Sequence, residues 1–230
     1  AWLPGAPAPW ASLPEAARGR LSVAQVVGAV LPGEPPFPTV PAGWRLAAVL
    51  VALFEEAGQA RVVLTRRSDR LRSHRGEVSF PGGQVEPGEA LAAAACREAR
   101  EEIGLAPETV TLVGHLDPLA TVSSRRVLVP VVGVLPGRPE ARRNPAEVAR
   151  VFDVALVDLL ADGVFHEERW PARAGWPEGL RPRGDDGRSA HYPVWFFDVA
   201  GETVWGATAR VLVDLLGRSL GLGSPTGQTG

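Results

Sequence analysis

GGQVEPGEALAAAACREAREEIGL (residues 82–105) sets the carboxylates Glu89, Glu98, Glu101 and Glu102 around a glycine pair and a run of alanines. Pro87-Gly88 breaks the chain ahead of the alanines and Gly104 stands where a helix stops, so the pattern predicts a helix from Glu89 to Ile103. With about 3.6 residues per turn, Ala92, Cys96, Ala99 and Ile103 recur at spacings of 4, 3 and 4 and form a core-facing stripe. Cys96 therefore reads as a small buried hydrophobe rather than a nucleophile. Glu98, Glu101 and Glu102 fall on the side away from that stripe.

Three acids on one helix face repel one another, and near the helix C-terminus the macrodipole disfavours each of them. On a solvated face the repulsion would cost only about 0.2–0.5 kcal/mol per pair. Other residues nearby point to a ligand. Arg97, four residues ahead of Glu101, can orient one carboxylate and leave the others free. Gly82-Gly83 reads as a turn whose bare backbone can approach a ligand and offer carbonyl oxygens. Hard oxygen donors without Cys or His ligands suit Mg²⁺ or Mn²⁺ rather than zinc. A divalent ion among the acids removes the repulsion.

The whole chain of 230 residues is consistent with one large domain. Apolar residues make up 45% of it, enough for a proper core. A formal charge of −2 gives no reason to expect nucleic acid or an anionic membrane as partner. Every basic residue is arginine, so only the placement of an arginine carries information. Cys96 is the single cysteine, which excludes an intrachain disulfide. The apolar run Leu46–Phe54 is too short to span a bilayer, and the N-terminal stretch does not read as a signal peptide. The reading is a soluble cytoplasmic protein.

Residues 1–41, rich in Pro, Gly and Ala, read as an arm packed on the domain, with one helix over 14–29; residues 42–220 form the domain and 221–230 a frayed tail. Runs 46–54 and 60–67 form a hairpin about Gly58, 76–80 a short strand, and 109–116 and 126–135 further strands. Residues 143–160 read as turn, strand and short helix, 164–188 as a long loop, 191–199 and 202–205 as strands, and 205–220 as an amphipathic helix. Strands with interspersed helices but no regular βαβ alternation predict a mixed sheet covered by helices.

Gly83, five residues, Glu89, seven residues, then Arg97-Glu98-Ala99-Arg100-Glu101-Glu102-Ile103-Gly104-Leu105 resembles the Nudix box of the Nudix hydrolases. Ala99 is the one departure, at a position where the family carries a larger aliphatic residue. A second stretch, LTRRSDRLRSHRGEVSFPGG (residues 64–83), is similar to the extra signature of the coenzyme A pyrophosphatase branch, through Leu64, Thr65, Arg67, Ser68, Leu71, Arg72, His74, Gly76, Phe80, Pro81, Gly82 and Gly83. Residues 144–159 and 204–212 also look like that branch, with Ala155 where its members usually show proline. The resemblance implies an α/β fold, the Nudix-type α/β/α sandwich with a mixed β-sheet. It also implies Mg²⁺- or Mn²⁺-dependent hydrolysis of coenzyme A, or an acyl-CoA, to 3′,5′-ADP and (acyl-)4′-phosphopantetheine.

A diphosphate resists hydrolysis because its anionic oxygens repel hydroxide; divalent cations neutralise them, position the substrate and acidify water. Glu98, Glu101 and Glu102 are the expected metal ligands, with the Gly82 carbonyl added by family analogy. Arg97 orients a carboxylate, Glu89 holds the loop against the helix, and Glu98 or Glu147 is the general base. Of the basic cluster ahead of the glycines, Arg67, Arg72 and His74 match the signature and are the expected phosphate donors, beside Gly82 and Gly83. Trp195-Phe196-Phe197 reads mainly as core strand. Competing readings are a Nudix hydrolase of ADP-ribose or NADH, and a non-catalytic Nudix ligand sensor. The expected partner is a small molecule, and a homodimer is left open.

Overall fold

Ala47 through Phe54 are buried without interruption, a pattern that suits a central strand covered on both faces. The computed structural model describes residues 3–71, 73–171 and 191–224. Its strands are β1 (Leu3–Pro4), β2 (Arg45–Glu56), β3 (Gln59–Arg67), β4 (Val78–Ser79), β5 (Gly82–Gln84), β6 (Thr111–His115), β7 (Leu119–Thr121), β8 (Arg126–Val134), β9 (Val148–Ala155), β10 (Phe165–Pro171), β11 (His191–Val199) and β12 (Glu202–Trp205). Its helices are α1 (Glu15–Arg18), α2 (Val23–Val27), α3 (Leu91–Ile103) and α4 (Gly206–Ser219), with 3₁₀ turns at Pro107–Thr109 and Asp158–Leu160.

An eight-stranded sheet runs β4-β3-β2-β8-β6, with β5 also on β2, β7 on β8 and β9 on β3. β2 and β8 are parallel, with Arg45 opposite Arg126 and Leu53 opposite Val134. α3 covers one face, where Leu50, Phe54 and Val131 of the sheet meet Ala95, Ala99 and Ile103. The other face packs on α4, α2 and the N-terminal residues through Leu53, Leu64, Leu212 and Leu216. The architecture is the expected α/β/α sandwich around a mixed sheet.

The expected single helix over 14–29 is two short ones. Gly19 ends α1, and Leu21 is drawn to the sheet, its carbonyl accepting the Ala60 N–H at 2.6 Å. Ser22 then starts α2 with a reciprocal capping box to Gln25. Trp10, 1% exposed, packs against Phe165 and Phe197 at centroid distances of 5.3 and 6.1 Å.

The loop expected from residue 164 is in its first part a strand. β10 pairs with β11 from Phe165↔Phe197 to Pro171↔His191 and belongs to a second sheet of order β1-β10-β11-β12. Its run of Glu167, Glu168 and Arg169 hides the strand from a reading of hydrophobic pattern. The rest of that expected loop lies outside the described residues.

Candidate active site

Gly82 and Gly83 are not a free turn. They form β5, opposite Val49 and Ala48 of β2. A Cβ at Gly82 would stand 2.5 Å from the Ala48 carbonyl oxygen, and one at Gly83 would stand 2.4 Å from Cδ of Glu98. Only glycine lets this strand fit between β2 and the acidic side of α3. α3 begins at Leu91 rather than Glu89, because the Glu89 carboxylate stays in the loop and accepts the Glu86 N–H at 2.9 Å. It ends as expected at Gly104, whose left-handed backbone (φ 70°) brings its N–H to the Arg100 carbonyl at 2.9 Å.

Arg97 links the loop to the acids. Its Nε and Nη2 donate to the two Glu89 oxygens at 2.8 and 3.0 Å, and Nη2 also donates to the Gln84 carbonyl at 3.0 Å. Nη1 donates to Glu98 at 3.1 Å and to Glu101 at 3.4 Å. The hydrogen bonds from Arg97 hold Glu89 below the usual carboxylate range despite some desolvation.

Glu102 departs from expectation. Instead of facing away from the core it is 4% exposed, covered by β5. The Gly82 N–H donates to its Oε2 at 3.2 Å, and Arg67 Nη1 lies 3.8 Å from its Oε1. Burial pushes Glu102 up to about 7; the Gly82 amide and Arg67 oppose that rise, while the charges of Glu98 and Glu147 add to it. Burial also raises Glu98, countered by Arg97 and reinforced by Glu101 and Glu147.

Glu147 joins this group from outside the helix. The Asn144 N–H donates to the Glu102 carbonyl and the Ser68 N–H to the Glu147 carbonyl, both at 2.8 Å. The turn bearing Glu147 is thereby fastened to the end of α3 and to the exit of β3.

The expected phosphate donors are placed differently from one another. Arg67 ends β3 beside Glu102, and its Nε is buried without a hydrogen-bond partner among the described residues. His74 lies on the following loop, where Nδ1 is 2.9 Å from Glu77 Oε2. Arg72 lies outside the described residues. Sequence reading passed over Arg45 and Arg126, which open β2 and β8. The charges of Arg67, Arg45 and Glu98 all bear on Arg126. Each reads from sequence as an ordinary strand end; only the parallel register brings them together.

The donor set fits a hard divalent cation. Burial raises Glu98 and Glu102, the charges of neighbouring carboxylates add to the rise, and a cation placed among them would offset both effects; a Cβ at Gly83 would stand directly against Glu98. Among the described residues, no three side chains of His, Cys, Asp or Glu are already gathered as a ready ligand set. Glu101 in particular turns to Arg97 and is 56% exposed. Cys96 is buried in the helix–sheet interface, and desolvation raises its thiol.

Comparison with known proteins bears on the family. The NUDIX domain family matches residues 44–173. Over 172 residues the chain is 38% identical to "Uncharacterized Nudix hydrolase NudL" of Citrobacter koseri and 37% identical to the Escherichia coli protein of that name, covering 74% of this chain and 81% of each relative. Among solved structures it is similar to a Caenorhabditis elegans Ap4A hydrolase binary complex (TM-score 0.42, 25% identity, 49% of this chain and 81% of that one). It is also similar to the NUDIX domain of Shewanella oneidensis NrtR complexed with ADP ribose (TM-score 0.41, 19% identity, 61% and 87%).

Proposed function

The chain belongs to the Nudix hydrolase family, and we propose that it cleaves the diphosphate bond of coenzyme A or an acyl-CoA, giving 3′,5′-ADP and (acyl-)4′-phosphopantetheine. The observation that carries this reading is where the two ends of the segment 64–83 lie. This signature stretch delivers Arg67 to within 3.8 Å of Glu102 at one end and lays Gly83 against Glu98 at the other. The two ends of the stretch similar to the branch signature thus adjoin the acids of the Nudix box.

A divalent cation, Mg²⁺ or Mn²⁺, supplies neutralisation of the diphosphate oxygens and a more acidic attacking water. Glu98 and Glu102 hold it, Glu101 completes the set, and the Gly82 carbonyl is a further donor. Arg97 fixes the orientation of Glu98 and Glu101. Glu98 or Glu147 takes the proton from the attacking water. Arg67, Arg72 and His74 bind phosphate oxygens of the substrate. The partner is a small molecule; no described helix is long and apolar enough to cross a membrane.

The test is to incubate the protein with Mg²⁺ or Mn²⁺ and CoA, ADP-ribose, NADH or dinucleoside polyphosphates, and to identify products by mass. CoA is expected to yield 3′,5′-ADP, and Glu98→Gln or Glu102→Gln is expected to abolish this while the fold persists. Intact CoA alongside consumed ADP-ribose would overturn the substrate assignment.

A further inference from the structure

Three arginines come from three strands, and the charges of Arg67, Arg45 and Glu98 all act on Arg126. The parallel register sets Arg45 at the start of β2 opposite Arg126 at the start of β8, and Arg67 ends the neighbouring antiparallel β3. Their charges are poorly matched within the protein. Arg67 has Glu102 at 3.8 Å, but its buried Nε has no acceptor among the described residues. Arg45 reaches the neutral side-chain amide of Gln84, its Nη1 lying 3.5 Å from Oε1. The half-buried Arg126 guanidinium takes part in none of the side-chain hydrogen bonds or ion pairs among the described residues.

We propose that Arg45, Arg67 and Arg126 form a cradle for a phosphate monoester of the substrate, distinct from the diphosphate held at the acids, and that Arg126 sets the preference for a nucleotide carrying that extra phosphate. Glu102 partly offsets Arg67, whereas Arg45 and Arg126 form no ion pair among the described residues. A phosphate monoester brings about −1.5 to −2 at neutral pH with three acceptor oxygens. Guanidinium forks suit those oxygens. Burial and the neighbouring positive charges of Arg67 and Arg45 lower the Arg126 pKa, with Glu98 opposing, and an anion beside it would reverse that shift. The cradle deepens the coenzyme A reading and rests on it for the identity of the group, the 3′-phosphate of the nucleotide half.

The test is calorimetric titration of the full chain with Mg²⁺ present, using adenosine 3′,5′-bisphosphate and 5′-AMP, neither of which has a diphosphate bond to cleave. The bisphosphate should bind at least about tenfold more tightly, a difference of the size one charge-assisted contact provides. Arg126→Gln should erase that preference, Arg126→Lys should keep part of it, and Arg45→Gln, at an exposed position, should reduce it several-fold. Equal binding of the two nucleotides by the wild type, or an undiminished preference in Arg126→Gln, overturns the cradle. If Arg126→Gln does not fold, an undiminished preference in both Arg126→Lys and Arg45→Gln does the same. In kinetics, Arg126→Gln should raise KM for CoA while leaving kcat and dephospho-CoA cleavage nearly unchanged. An equal loss on both substrates overturns the proposal, because the arginine would then serve the diphosphate. A bisphosphate preference that depends on Arg126, in a protein that leaves CoA intact, upholds the cradle and removes the coenzyme A reading.

Discussion

The Arg97 guanidinium and the Glu89 carboxylate meet through two parallel hydrogen bonds, Nε to Oε1 at 2.8 Å and Nη2 to Oε2 at 3.0 Å. Glu89 lies ahead of the helix and is not among the proposed metal ligands, so its effect on chemistry runs through Arg97, which in turn holds Glu98 and Glu101. Glu89→Gln and Arg97→Gln should therefore lower kcat by similar factors, on the order of 10²-fold, as expected for misplaced groups. The double variant should be little worse than either alone. Full additivity in kcat would show that the two residues act separately.

The raised pKa of Glu102 makes stability depend on pH. Its folded value, about 7, lies above the ordinary 4.5, so the folded protein retains a proton that the unfolded chain has released. The resulting stabilisation is complete below about pH 4.5 and is lost as pH rises through 7, about 3 kcal/mol in all. Thermal unfolding in chelator at a series of pH values should show this decline in the wild type and a flatter curve in Glu102→Gln. Mg²⁺ should restore the wild type at pH 8 and leave the variant unmoved.

Gly83→Ala should retain secondary structure yet lose activity by roughly 10²-fold, because its Cβ would stand 2.4 Å from the Glu98 carboxyl carbon and push that group aside. Mn²⁺ titration followed by electron paramagnetic resonance should show weakened binding. Unchanged affinity and rate would mean that Glu98 can move without consequence.

If Glu147 is the base, Glu147→Gln should lower kcat by about 10²–10⁴-fold with little change in KM, and the acid limb of the pH–rate profile should disappear. A profile that keeps both limbs and nearly full kcat would assign the proton transfer to Glu98.

Trp10→Ala should destabilise the protein by about 3–5 kcal/mol. The indole is 1% exposed, stacked on Phe197 and edge-on to Phe165 of the second sheet. Denaturant unfolding measures the loss, and hydrolytic turnover under strongly native conditions should change far less.

The reach of the sequence follows the range of the interactions involved. The stop at Gly104, the buried Cys96 and the association of Arg97 with Glu101 were legible because each depends on neighbours within one or two helical turns. The burial of Glu102 was not, since it depends on β5 crossing the helix, and a helical wheel cannot show what covers a position. The split between α1 and α2 arises from the pull of Ala60 on Leu21, a contact between distant segments. β10 escaped notice because its strand character comes from pairing with β11, against a charged local composition. Arg126 was overlooked for the same reason that the burial of Glu102 was: its neighbours come from other strands, and a parallel register has no local turn to announce it.

That parallel pairing also governs when the acids acquire their setting during folding. Arg45 and Arg126 are separated by about 80 residues of chain, and contacts across so long a loop carry the closure entropy of everything between them. Proteins whose folds depend on such distant contacts fold slowly compared with helical bundles. A nascent chain that has just released α3 from the ribosome already contains Glu98, Glu101 and Glu102, but β8, which completes the centre of the sheet, is still to be synthesised. Competence to bind metal and substrate should consequently arrive with the docking of β8 rather than with formation of the acidic helix.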